Sequence, residues 1–238
     1  MMTRTTRPHP QGFTLIEVLV ALVAMALMAG LGWRGVDGLL RAREASQTRV
    51  DQMAVMQTAL AQWQSDLDTA LSVPGNPALP GLSWDGRVLR IVRRASVPDL
   101  QGADAGLWVV SWTVRTLSPD EAAQIGQSGQ NPPLAWVRTQ APASTDRQIL
   151  QQYWTAAGQG GSGLASTAVL FPVQQWQLFY FRRDAWSNPL SSSGTVSAGQ
   201  DATIPDAVRL HLVLPEGLSP SGTLTLDWVR PDFSTVRS

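Results

Sequence analysis

Residues 12–33 read Gly-Phe-Thr-Leu-Ile-Glu-Val-Leu-Val-Ala-Leu-Val-Ala-Met-Ala-Leu-Met-Ala-Gly-Leu-Gly-Trp. From Phe13 to Trp33 the run holds 21 residues and one charge, Glu17. As a helix it is about 31 Å long at ~1.5 Å per residue, matching a hydrocarbon core of about 30 Å. A buried core helix is rarely apolar all round over this length, so the pattern predicts a membrane-crossing helix. A carboxylate inside a span costs roughly 2.5–3.5 kcal/mol even on lenient insertion scales, so Glu17 needs a partner or a place at the interface. Upstream, residues 1–12 are polar and basic, with Arg4 and Arg7 and prolines at 8 and 10. A secretory signal is cleaved after its apolar core. Here the small residue, Gly12, stands before it, so cleavage at Gly12 leaves the apolar helix on the mature chain.

Cleavage between Gly12 and Phe13 creates a cationic α-amine about one helical turn from Glu17. In a helical polymer, Glu17 of one subunit can meet the Phe13 amine of its neighbour. The low dielectric strengthens that pair and penalises the unpaired acid, which rewards assembly. The competing reading is that Glu17 sits at the interface and snorkels. Charge at the far flank, Arg34, Arg41 and Arg43 against Asp37, weakens the asymmetry that Arg4 and Arg7 give the near side, so orientation rests more on the cleavage pattern than on charge.

Gly30, Gly32, Gly35 and Gly38 follow at the end of the span, where they mark either a soft point or close packing on a neighbouring helix. Beyond them Met53, Met56, Leu60, Trp63, Leu67 and Leu71 repeat at three and four residues, with Arg49, Asp51, Gln52, Gln62 and Asp66 on the polar face. This stripe is a docking face for a core. Pro74-Gly75-Asn76-Pro77 ends the helix. From residue 81 the period becomes two. Leu82-Ser83-Trp84 and Arg87–Val92 flank Asp85-Gly86, a hairpin signal. Further strands are expected at 106–116, 134–139, 148–156, 167–182, 206–214 and 222–229. The segments 118–133 and 187–204, rich in Ser, Gly, Gln and Pro, read as exposed loops. The expected organisation is a leader (1–12), a transmembrane helix (13–33), its amphipathic continuation (34–73) and a β-rich domain (74–238). The fold class is α+β, a long N-terminal helix packed on an antiparallel sheet.

Chemistry is scarce. The chain of 238 residues has no cysteine, which removes disulfides, thiolate metal sites and cysteine nucleophiles. Its histidines are His9, in the leader, and His211, which alternates with Leu210 and Leu212 as an outward-facing strand residue. One histidine in the mature chain excludes a multi-histidine zinc site. Sixteen arginines face eighteen acids once the leader is gone, so nucleic acid is not an expected partner. Gly158-Gln159-Gly160-Gly161-Ser162-Gly163 has dinucleotide-fingerprint spacing without the strand-to-helix context, and reads as a loop. Ser162 lacks a nucleophile elbow. Asp66 and Asp68 are too few for a calcium loop. No enzyme, cofactor or metal is expected.

The segment Gly12-Phe13-Thr14-Leu15-Ile16-Glu17-Val18-Leu19-Val20-Ala21 resembles the processing motif of type IV prepilin-like proteins. More of the chain is similar to the J subunit, a minor pseudopilin of type II secretion. Trp63-Gln64-Ser65-Asp66-Leu67 resembles that family's helix-end motif and Arg90-Ile91-Val92-Arg93-Arg94 its early strand. Trp176–Tyr180 with Trp186, and Ile204–Leu210, resemble its late strands. The insertions at 118–133 and 157–166 depart from the pattern. The resemblance implies that Gly12 is the cleavage residue of a prepilin peptidase, Phe13 the N-methylated terminus and Glu17 the assembly carboxylate. It further implies a bacterial inner-membrane, single-pass protein with a periplasmic domain. Its partners are then the I and K minor pseudopilins and the major pseudopilin, near the tip of the pseudopilus. Two alternatives stand beside it, a minor type IV pilin and a membrane-anchored periplasmic hydrolase. The missing cysteine pair counts against the pilin, and the missing nucleophile motif against the hydrolase.

Overall fold

A computed structural model describes residues 13–73, 75–76, 78–95, 106–127, 133–160, 164, 166–182, 184–191 and 204–231. Its elements run α1 (Leu15–Asp68), β1 (Leu82–Trp84), β2 (Val88–Arg94), β3 (Leu107–Thr116), α2 (Pro119–Gln124), β4 (Leu134–Gln140), α3 (Arg147–Gly158), β5 (Ser166–Pro172), β6 (Gln175–Arg182), β7 (Ala185–Ser187), β8 (Ala207–Leu214) and β9 (Gly222–Val229). The chain divides into two units, Met1–Val50 and Asp51–Ser238. The fold is α+β, with a long N-terminal helix and antiparallel sheets.

In the first unit every described residue belongs to α1 or leads into it, and none is buried. Leu15, Met28, Leu31 and Trp33 are all more than two-thirds exposed. α1 is long and apolar enough at this end to cross a membrane.

The second unit is built from the end of α1 and two sheets, ordered β1-β2-β3-β4-β5 and β7-β6-β8-β9, with every pairing antiparallel. Met56, Ala59, Trp63 and Leu67 of α1 share one hydrophobic core with Leu89, Ile91, Val110, Trp112 and Trp136 of the first sheet and with Trp176, Leu178, Tyr180, Val208, Leu210 and Leu212 of the second. A second core lies over the other face of β2 and β3, where Leu150, Trp154 and Ala157 of α3 meet Val92 and Val109. The first sheet is thus covered on both sides, which is why β2 and β3 are almost continuously buried. β8 alternates buried and half-buried, as a strand with one wet face does. The Asp85-Gly86 hairpin forms as expected. Asp85 Oδ1 accepts from the N–H groups of Arg87 (2.9 Å) and Val88 (2.7 Å), and Gly86 takes φ +93°.

Several expectations are corrected. Residues 148–156 are helix, not strand. Asp146 caps α3 by accepting from Gln148 and Ile149 N–H, and the four- and three-residue spacing of Leu150, Trp154 and Ala157 buries one face. The expected strand 167–182 is two strands in different sheets, parted at Val173-Gln174. The loop 118–133 contains α2, started by a capping box between Ser118 and Glu121 with Pro119 in the first turn. Arg115 also grips Glu121 through both carboxylate oxygens and holds that carboxyl down at about 2. α1 ends at Asp68 rather than at 73, because Ala70 already pairs with Arg93 as a β-bridge and Leu71 N–H donates to Val92 O. Pro74 and Pro77 lie outside the described residues, as do Gly12, Gly161, Ser162 and Gly163. Gly158 is the last residue of a helix, so the glycine-rich stretch follows no strand. His211 stands half-buried on β8, opposite in facing to Leu210 and Leu212, with its ring 5.2 Å from Phe179.

Since the second unit has its own core, residues 34–238 are expected to form a soluble, folded and largely monomeric β-rich protein. Circular dichroism and sedimentation of that fragment check this. An insoluble or unstructured product counts against it.

Candidate functional site

The first candidate is the start of α1. Phe13 is 88% exposed. Both the N–H and the hydroxyl of Thr14 donate to Glu17 Oε2, each at 2.9 Å, while Glu17 N–H points back to Thr14 Oγ1 at 3.4 Å. Thr14-Leu15-Ile16-Glu17 is therefore a capping box, with each residue answering one orphan donor of the first turn. The carboxylate is not left bare in the single chain. Both bonds fall on Oε2, and among the described residues no donor reaches Oε1. Beside it Ile16, Val20, Ala21 and Ala24 line a shallow groove along the helix. Two alanines on that face allow another helix to approach closely. Glu17 and Phe13 thus stand together at an exposed helix start; Gly12 falls outside the described residues.

The second candidate is the other end of the same helix, and here the structure overturns the sequence. Asp66 was expected on the polar face but is fully buried. The 3-4 spacing that selects Met56, Ala59 and Trp63 brings Asp66 under as well, next to Leu67. Its carboxylate is surrounded by donors. Oδ1 accepts from Gln62 Nε2 (2.9 Å), Arg138 Nη2 (3.0 Å) and Arg93 Nη1. Oδ2 accepts from Trp112 Nε1 (2.9 Å) and Arg138 Nε (2.8 Å). Arg93 comes from β2, Trp112 from β3 and Arg138 from β4, so one side chain ties the helix to three adjacent strands. Arg138 is fixed in turn by Gln140 Oε1 at 2.8 Å. A buried charge is tolerated only when its oxygens are filled like this.

Aromatic packing surrounds the cluster. The Trp63 ring stands edge-on to Trp112 at 5.4 Å, and Trp112 lies 4.4 Å from Trp136. Two residues on, Asp68 Oδ1 accepts from Trp228 Nε1 of β9 at 2.7 Å. The last turn of α1 is therefore fastened to the first sheet by Asp66 and to the second by Asp68. In the sequence Asp66 and Asp68 stand out only as two acids too few for a calcium loop. The available signal was the place of Asp66 inside the apolar stripe, one residue before Leu67. Among the described residues no group of three or more His, Asp or Glu side chains is placed to hold a metal.

Comparison with known proteins bears on the first candidate. Residues 7–33 match the prokaryotic N-terminal methylation motif. That match takes in Gly12, Phe13 and Glu17. No curated protein sequence matches the chain. Among solved structures, the chain is similar to one in the crystal structure of the GspK-GspI-GspJ complex from the enterotoxigenic Escherichia coli type 2 secretion system. The identity is 17%, over 76% of this chain and 99% of that one, with a TM-score of 0.48.

Proposed function

We propose that this protein is a minor pseudopilin of type II secretion, of the J type, and acts by assembly rather than by catalysis. The observation that carries the reading is the N-terminal methylation motif over 7–33 with Glu17 as the lone charge of its apolar stretch. In this reading a prepilin peptidase cleaves between Gly12 and Phe13, and the new terminus of Phe13 is methylated. The apolar part of α1 anchors the chain in the inner membrane, with the sheet domain in the periplasm. Glu17 then receives the terminal amine of a neighbouring subunit. An Oε1 that no described residue reaches and the small-residue groove at Ala21 and Ala24 support that role. The companions are the I and K minor subunits and the major pseudopilin, near the tip of a short filament.

Glu17→Ala tests it. The variant is expected to insert and be cleaved normally, since removing an intramembrane charge eases insertion by up to roughly 2.5–3.5 kcal/mol. Cross-linking to companion subunits and secretion are expected to fall, though not to the level of a null strain, because the sheet domain makes its own contacts. Wild-type secretion with unchanged cross-linking rules out the pairing role.

A further inference from the structure

The two sheets have four edges, and three of them are blunted. β1 and β7 are three residues long. β5 carries a bulge, since Trp136 pairs with Phe171 and Val137 with Val169, leaving Leu170 extra, and it ends in Pro172. These are the ordinary devices by which a sheet refuses further strands. β9 has none of them. It runs for eight residues in unbroken register with β8, from Leu214↔Gly222 to Ala207↔Val229. It contains no proline and no basic residue, and among the described residues no strand pairs with its other side. Its one charge, Asp227, is taken up by Arg209 of β8 through two bonds of 2.7 Å, which also keep that carboxyl below its usual range. The core stops short here as well. Leu210 and Leu212 of β8 are completely buried, whereas Leu224 and Leu226 of β9, on the same face, are only partly buried, and the core face of β9 closes fully only at Trp228.

We infer that β9 is a docking edge that accepts an extended strand from a companion pseudopilin, antiparallel or parallel, by main-chain hydrogen bonding. The inference rests on the assembly reading above. The occupant follows from the chemistry of the edge. Unpaired N–H and C=O groups call for an extended backbone. Leu224 and Leu226 call for apolar side chains at every second position, to finish covering the core. Thr223, Thr225 and the neutralised Asp227 on the other face call for uncharged polar residues between them. A basic or acidic tail finds no counter-charge there.

Residue-resolved amide hydrogen exchange of the full chain tests this, in detergent alone and after co-purification with coexpressed companion minor pseudopilins. The expected result is slowing of about tenfold or more at alternate amides within 222–229, because an added strand protects only the N–H groups that point toward it. Residues 166–169 of β5 are expected to exchange unchanged. Thr225→Pro and Leu226→Pro sample the two N–H directions. The one that retains the parent melting temperature is expected to lose co-purification. Co-purification with β9 exchange unchanged, or slowed evenly without alternation, overturns the strand addition and leaves the assembly reading intact. Alternating protection already present in the isolated chain also overturns it, since the chain's own residues then cover the edge. A folded chain that co-purifies with no companion overturns both.

Discussion

Asp66→Asn is expected to destabilise the sheet domain by about 3–5 kcal/mol, a large share of the roughly 5–15 kcal/mol that holds a domain of ordinary stability together. The reason is what remains rather than what is removed. Arg93 and Arg138, with side chains only 4% and 13% exposed, keep their charges, and the carboxylate that made their burial tolerable is gone. An asparagine offers one acceptor oxygen where five donors converge, and its amide faces guanidinium N–H groups that cannot accept. Asp68→Ala is the control. It removes one bond, to Trp228, and is expected to cost about 1 kcal/mol. Urea denaturation of residues 34–238 separates the two, and a loss below about 1 kcal/mol for Asp66→Asn shows that the cluster is ornamental. If the prediction holds, the end of α1 is locked to both sheets.

Gly12→Val is expected to abolish maturation. A peptidase that cuts beside Phe13 must bring its catalytic groups against the backbone of residue 12, and glycine alone leaves that approach free of a Cβ and free in φ. A β-branched residue denies both. The measurement is intact mass of the protein expressed together with a prepilin peptidase. The parent chain is expected to lose residues 1–12, and the variant to remain whole at 25.7 kDa. Normal cleavage of the variant removes Gly12 from the processing site and with it the position assigned to the new Phe13 amine. The two substitutions read different things. Gly12 tests how the chain is made ready, and Asp66 tests how the finished helix holds its domain.

Features whose causes are local could be read from the order of residues alone. The apolar run from Phe13, the lone Glu17, the Asp85-Gly86 hairpin and the alternation in β8 and β9 each depend on neighbours within a few residues, so spacing alone exposes them. Contacts between distant parts of the chain set the others. Residues 148–156 carry Ile, Tyr, Trp and Thr, which favour strands, and became helix because Asp146 caps them and Arg90 of β2 takes hold of Trp154. The Arg90 guanidinium lies 4.8 Å from the centre of that ring. The run from 167 to 182 looks like one long strand, yet its halves join different sheets, a choice made by the partners β4 and β8. Asp66 is the clearest case. By composition a carboxylate between Ser65 and Leu67 belongs in water. What draws it inward are Arg93 and Arg138, 27 and 72 residues along the chain, and no local pattern announces partners at that distance. Burial of a charge is a property of the site that receives it, and that site exists only once β2, β3 and β4 have paired.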